Sequence, residues 1–195
     1  ATFVTNGVDL IMANATPALQ AAAAATAEIP IIGTAVTDYA SALDIASADW
    51  KGYTGKNISG VSDGVPADQI AEIFTELFPD AENVGIMYCS AEANSKVQAA
   101  DMTAALTALG YKVSEFTFAD TNDVASVTQN ACDASDVIYI PTDNTAASCT
   151  EAINNVATVA KTPIIGGEEN ICRGCGVATL SINYYDIGVA TGKLA

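Results

Sequence analysis

Each apolar run that reads as a buried strand in this chain ends in a short polar turn, and helical patterns fill the intervals. Asn14-Ala15-Thr16-Pro17 follows the run at 9–13, and Thr37-Asp38 follows 31–36. Ser-Ala-Glu-Ala-Asn-Ser at 90–95 follows 84–88, and Pro141-Thr142-Asp143-Asn144 follows 137–140. Gly166-Gly167-Glu168-Glu169 and Ser181-Ile182-Asn183-Tyr184 close the runs at 163–165 and 177–180. Strand–helix alternation of this kind predicts α/β architecture, with parallel sheets flanked by helices and joined by right-handed crossovers. In open α/β sheets ligands bind outside the carboxyl ends of the strands, so the turns are expected to converge on one crevice.

The helices carry their own punctuation. Thr16 reads as an N-cap with Pro17 in the first turn, opening an Ala-rich helix to about residue 27. Ile70, Ile73, Phe74 and Leu77 at helical spacing predict a helix over 66–77, stopped by Pro79. A helix is predicted from Asn94 or Ser95 to 109, closed by Gly110, and a strand over 111–118 leads to a helix from about Asn122. A further helix is expected over 145–160. Residues 38–60, which hold Trp50, show the least pattern, and 38–64 is the expected crossing between lobes because linkers concentrate Gly and polar residues. Residues 1–6 read as the tail of a helix stopped by Gly7, and 184–195 as a helix halted in mid-pattern, so the chain reads as truncated at both ends. The expected division is 1–62 as part of a first lobe lacking its opening strands, 63–182 as a second lobe, and 183–195 as the start of a helix leading back toward the first.

Composition removes several classes of function. Seven basic residues against 23 acidic ones give a net charge of −16, a surface that repels phosphate backbones and anionic headgroups. Nucleic acid is therefore not an expected partner. No stretch approaches the roughly 20 apolar residues that span a bilayer. No histidine occurs anywhere in the chain, which excludes Ser-His and Cys-His nucleophile pairs. GxGxxG, P-loop and GxSxG motifs are absent too. Paired-carboxylate chemistry through Asp143 and Glu168 remains formally open, as a distant third class of function. The five cysteines, Cys89, Cys132, Cys149, Cys172 and Cys175, are an odd set for a disulfide scaffold. Cys172-Arg-Gly-Cys175 lacks the second pair a four-ligand zinc site needs and reads as lying in a Gly-rich turn before a strand. No metal or cofactor is expected.

The candidate site residues are those of the turns: Thr16, Thr37, Asp38, Ser90, Glu92, Asn94, Ser95, Asp143, Asn144, Glu168 and Tyr184. Helix N-termini at Thr16 and at Asn94-Ser95 suit an anion such as a carboxylate, since free N–H groups and the helix dipole point there. Asp143 is the expected partner of a ligand ammonium, with Asn144 fixing orientation and Glu168 or Glu169 as a second partner. Ordinary helix capping is the competing reading of Thr16, Ser95, Asp143 and Asn144, and solvated loop charge that of the glutamates. Tyr39, Tyr88, Tyr184 and Tyr185 sit at or beside the turns, where they line a wall or simply pack.

The segments Ala13-Asn14-Ala15-Thr16-Pro17-Ala18, Thr34-Ala35-Val36-Thr37-Asp38, Glu92-Ala93-Asn94-Ser95, Pro141-Thr142-Asp143-Asn144 and Asn183-Tyr184-Tyr185-Asp186-Ile187-Gly188 occur in this order. That series resembles the substrate-binding proteins of ABC importers, in the group that includes the tryptophan and aromatic amino-acid binders. The resemblance implies a two-lobed, type I periplasmic-binding fold that closes on a small amino-acid-like ligand and hands it to an ABC transporter permease. It also implies an extracytoplasmic location, periplasmic or as a cell-surface lipoprotein whose lipid anchor lies outside this chain, and no enzymatic activity. Tyr39 stands where that group often has Pro after Thr-Asp, and residues 44–56 diverge from its pattern. The competing function is a ligand-sensing domain of the same fold coupled to a signalling partner.

Overall fold

The computed structural model describes residues 2–46 and 48–195, so Ala1 of the expected opening helix and Ser47 of the irregular stretch lie outside the described residues. Along the chain run α1 (Thr2–Thr5), β1 (Ile11–Asn14), α2 (Thr16–Ala25), β2 (Ile31–Thr34), α3 (Tyr39–Ala42) and β3 (Ile58–Gly60). There follow α4 (Ala67–Leu77), β4 (Asn83–Cys89), α5 (Ala93–Ala108), β5 (Lys112–Phe118), α6 (Val124–Ala134) and β6 (Val137–Ile140). The last elements are α7 (Asn144–Ser148), α8 (Thr150–Ala160), β7 (Ile164–Gly166), α9 (Glu169–Cys175), β8 (Ala178–Thr179) and α10 (Tyr184–Leu194). These form two compact units: one runs to Gly64 and takes up Ile182–Ala195, and the other is Val65–Ser181.

The second unit is a parallel sheet in the order β5-β4-β6-β7-β8. Its central strands β4, β6 and β7 are buried on both faces, as a sheet covered by helices on both sides requires, while the edge strand β5 is largely polar and exposed. Side chains alternate across a strand, so β4 sends Ile86 and Tyr88 one way and Met87 and Cys89 the other. In β6, Tyr139 joins the layer with Phe74, Met102 and Leu106, while Ile138 and Ile140 join the layer with Val124, Ala131 and Ile153. Phe74 is the pivot of the first layer, meeting Tyr111 and Tyr139 edge-on at centroid distances of 6.3 and 6.5 Å.

The first unit is a smaller parallel sheet in the order β1-β2-β3, with Ile31 facing Ile11 on one side and Ile58 on the other. Leu19 from α2 and Val36, Ala42 and Leu43 from the loop and α3 complete its core. From α10, Thr191 donates to the Ile187 carbonyl and pairs with the Thr34 hydroxyl at 2.8 Å, fastening this helix to the end of β2. Two glycines let Tyr39 lie against the sheet. A Cβ on Gly60 would stand 1.9 Å from the Tyr39 hydroxyl and 2.2 Å from the Gly33 carbonyl oxygen, and one on Gly33 would stand 2.4 Å from that hydroxyl.

Several elements depart from the sequence reading. Thr16 is the first residue of α2 and not its cap: Ala15 holds that place at φ +70°, because its N–H still pairs with the Thr34 carbonyl and drags the strand one residue further. The expected single helix over 145–160 breaks at Cys149, where the short turn capped by Asp143 ends and α8 starts afresh. Residues 38–60 contain α3 and the third strand of the sheet. The Cys172–Cys175 pair lies inside α9 and not in a turn. Gly174 belongs in that helix because a Cβ there would meet the Thr150 side chain at 2.3 Å.

Gly60→Ala should therefore destabilise the protein by about 1–3 kcal/mol, the usual cost of overpacking. Adding Tyr39→Phe should not restore it, since the backbone oxygen of Gly33 blocks the methyl as well. Urea midpoints of the wild type, the single variant and the double variant check this.

Candidate functional site

In the second unit, the turns after β4 and β6 are fastened to each other by two buried carboxylates. Glu92, the residue before α5, is 8% exposed. Its Oε2 accepts from the Asn144 N–H at 3.0 Å and Nδ2 at 2.8 Å, and its Oε1 from the Thr145 N–H and hydroxyl, both at 2.8 Å. Asp143 reaches back the other way. Its Oδ2 accepts from the Cys89 N–H and the Ser95 hydroxyl at 2.7 Å, and its Oδ1 accepts from the Ala146 N–H at 2.8 Å. The β7 turn is drawn in through Thr142, whose hydroxyl donates to the Gly167 carbonyl at 3.3 Å and whose N–H donates to Gln98 Oε1 at 3.1 Å. Gly167 is obligatory for that approach, as a Cβ would fall 2.7 Å from the Pro141 carbonyl carbon.

The two acids titrate in opposite senses. Burial by itself would raise the Glu92 carboxyl, but the hydrogen bonds from Asn144 and Thr145 outweigh it and hold the group below the usual range. For Asp143, burial dominates and the neighbouring Glu92 charge adds to it, so that its carboxyl lies above the usual range despite the bonds from Ala146, Cys89 and Ser95.

The structure thus joins Glu92, Asn94, Ser95, Asp143 and Asn144 in one network and gives Asp143 a different task from the one expected of it. Its carboxylate is filled by three internal donors, two of them backbone N–H groups, from the end of β4 and from α7. Ser95 likewise spends its hydroxyl on Asp143. Glu168 is an N-cap, accepting from Asn170 at 2.9 Å and Ile171 at 2.5 Å, and Ser90 is held against the Phe118 carbonyl at the end of β5. Neither belongs to the network. What the network leaves unused is the N-terminus of α5, whose N–H groups receive no side-chain cap, and Asn94 Oδ1. Asn94 is 2% exposed; its Nδ2 donates to the Thr142 carbonyl at 2.7 Å, while Oδ1 is buried with no partner. Thr142, Thr145 and Gln98 take part without having been singled out in the sequence, because Thr and Gln in a helix or turn carry no distinguishing pattern.

In the first unit, Thr16 is buried on α2 and Asp38 caps α3 by accepting from Ser41 N–H at 2.6 Å. The Thr37 carbonyl accepts from Ser62 at 2.9 Å, which brings the β2 and β3 turns together. Tyr184 donates to Asp63 Oδ2 at 3.1 Å, and Asp63 Oδ1 is buried with no partner. Asp63 was missed because β3 was missed; with Ile58–Gly60 recognised as a strand, Ser62-Asp63-Gly64 becomes the next turn of the series. Of the other tyrosines, Tyr88 donates to Glu115 at 2.7 Å and Tyr185 is 78% exposed.

All five cysteines are free thiols. Burial, with the charges of Cys172 and Glu168 behind it, pushes the Cys175 thiol up to about 12, opposite to an activated thiolate. A surface depression of about 330 Å³ lies at the other, amino edge of the second sheet, lined by Thr75, Pro79, Leu109, Tyr111 and the Glu82–Lys112 ion pair.

Residues 1–195 match the family described as ABC transporter substrate binding protein. A tyrosine-binding protein of Clostridioides difficile strain R20291 is 36% identical over 193 residues, which is 99% of this chain and 55% of that protein. A solved ABC domain from Streptococcus pneumonia in complex with L-Trp superposes with a TM-score of 0.93 at 35% identity, covering 99% of this chain and 66% of the solved one. A conserved domain protein from Vibrio cholerae superposes at 0.91 with 36% identity, covering 98% and 64%. The chain therefore spans between about half and two thirds of the length of these relatives, and it shares the type I periplasmic-binding fold with the solved ones.

Asp143→Asn should unfold more easily than the wild type by about 1–3 kcal/mol, because an amide NH2 would face an N–H group that now finds an acceptor. A melt unchanged from wild type contradicts the stapling role. Glu92 gives a second check through pH. Its folded-state carboxyl lies below the unfolded value, so its share of stability is present above about pH 4.5 and lost as pH falls through the folded value. Chemical denaturation between pH 3 and 6 should show a smaller acid loss in Glu92→Gln than in the wild type.

Proposed function

This chain belongs to the ABC transporter substrate-binding protein family, and from that premise we propose that it captures an amino acid with an aromatic side chain outside the cytoplasm for delivery to a membrane permease. One observation carries the reading: the uncapped N-terminus of α5 stands on a rigidly stapled sheet edge beside the unpartnered amide oxygen of Asn94. Free N–H groups and the helix dipole suit a ligand carboxylate there, and the amide oxygen suits an N–H donor of the same ligand. An amino acid supplies both. The aromatic side chain is suggested by two relatives, one described as tyrosine-binding and one solved with L-Trp.

Binding without turnover is the reading that suits the chemistry. The carboxylates that would serve as acid and base, Asp143 and Glu168, are occupied by backbone donors. Among the described residues no helix is long and apolar enough to cross a membrane, and a lipid anchor outside this chain is the proposed attachment. The family description names a transporter, which favours import over the signalling alternative.

Calorimetry on the full-length protein with L-tryptophan, L-tyrosine and a panel of the other amino acids tests this. The expected result is an aromatic amino acid bound with micromolar or tighter affinity, about −8 kcal/mol, and recovered unchanged. Asn94→Ala should weaken it at least tenfold, about 1.4 kcal/mol. Absence of binding to every amino acid of the panel, or appearance of a product, overturns the proposal.

A further inference from the structure

An asparagine amide has nearly the same outline whichever way it is turned, so only its neighbours decide where the oxygen lies. For Asn94 of the second unit they decide it firmly. Its Nδ2 lies 2.7 Å from the Thr142 carbonyl oxygen, 3.5 Å from Glu92 Oε2 and 3.4 Å from the Ser95 hydroxyl oxygen. A carbonyl and a carboxylate accept, and Ser95 gives its own proton to Asp143. The amide must therefore present its NH2 to this group of acceptors and turn Oδ1 the other way, where it is buried with no partner.

The carbonyl that holds this amide is itself held. Gln98 stands one helical turn beyond Asn94 on α5, on the same face, since side chains at i and i+4 are neighbours. Its Oε1 accepts from the Thr142 N–H at 3.1 Å, and its Nε2 donates to the Asn94 carbonyl at 3.3 Å. With the bond from Asn94 Nδ2 to the Thr142 carbonyl, these close a ring of three residues that clamps the β6 turn to the first turn of α5. Both ends of the Gln98 amide are engaged within the protein, whereas Asn94 keeps one end free. We infer that Gln98 is a positioning residue for ligand recognition: through Thr142 it locks the Asn94 amide, so that Oδ1 is an acceptor that cannot turn into a donor. The inference rests on the reading of the ligand as an amino acid, and it adds how the amino group is selected. A freely turning amide would satisfy a donor or an acceptor alike, while a locked one is left unpaired by an analogue without the N–H. Oδ1 is covered, so a neighbouring group shifts to admit the donor, an adjustment ordinary for binding sites.

The test uses full-length protein and two pairs of probes: L-tyrosine with 3-(4-hydroxyphenyl)propionic acid, and L-tryptophan with indole-3-propionic acid, each pair differing only by the amino group. Wild type should prefer the amino acid by about tenfold or more. Gln98→Leu removes both hydrogen bonds and should lose most of that preference, while binding the des-amino acids within about twofold of wild type. Gln98→Met serves if the Leu variant fails to fold. Gln98→Glu keeps an acceptor for the Thr142 N–H, so it should retain the preference even though its charge weakens both acids alike. Because Gln98 acts through Asn94, Gln98→Leu should cost no further preference when Asn94→Ala is already present. An unchanged preference in Gln98→Leu, equal losses for both members of a pair, or additive losses in the double variant overturns the inference. Should wild type bind neither amino acid, the reading of the ligand falls, and hydrogen exchange of the Asn94 side-chain NH2, followed by NMR, decides the positioning role alone. Exchange that is slow in wild type and faster in Gln98→Leu keeps the locked amide; equal rates remove it.

Discussion

A parallel sheet delivers its turns to one edge but does not fix their shape, and in this protein the second unit achieves that with two buried acids. Glu92 in the β4 turn holds four N–H and O–H donors of the β6 turn, and Asp143 in the β6 turn holds donors from β4, α5 and α7. The exchange is reciprocal, so neither turn can relax without unpairing buried groups of the other. Such groups are expensive to leave unmade, and they are tolerated in the interior only because every oxygen is used. The opposite displacement of the two carboxyls from their ordinary range follows from the same arrangement: donors outweigh burial at Glu92, while burial and the Glu92 charge outweigh donors at Asp143.

The alternation of apolar runs and polar turns was enough to read the parallel sheet of the second unit and most of its helices. Residues 137–140 emerge as β6, and Gly110, at φ +97°, ends α5 as its position suggested. What escaped did so for particular reasons. The strand Ile58–Gly60 is three residues long and ends in a glycine required by Tyr39, a contact 21 residues away that no local pattern reveals. Helix α9 contains a glycine demanded by Thr150 and is capped by a glutamate, a residue type that rarely announces a helix start. The cap expected of Thr16 fell to Ala15 because strand pairing with Thr34 runs one residue further than the apolar run does.

The site was half legible. Composition marks the turns after β4 and β6, and five of the side chains singled out there meet in one network. Their tasks were not legible, since a carboxylate that caps a neighbouring turn and one that greets a ligand have the same sequence. Only the geometry separates a saturated acid such as Asp143 from an unsaturated one such as Asp63.

The stapled edge also decides where a substitution is costly. Because the bonds of Glu92, Asp143, Thr142 and Gln98 stay among these turns and go largely to backbone groups, the frame holds its shape without an outside partner. Substitutions at atoms left outside the network unpair none of its buried carboxylates and so leave that anchorage intact.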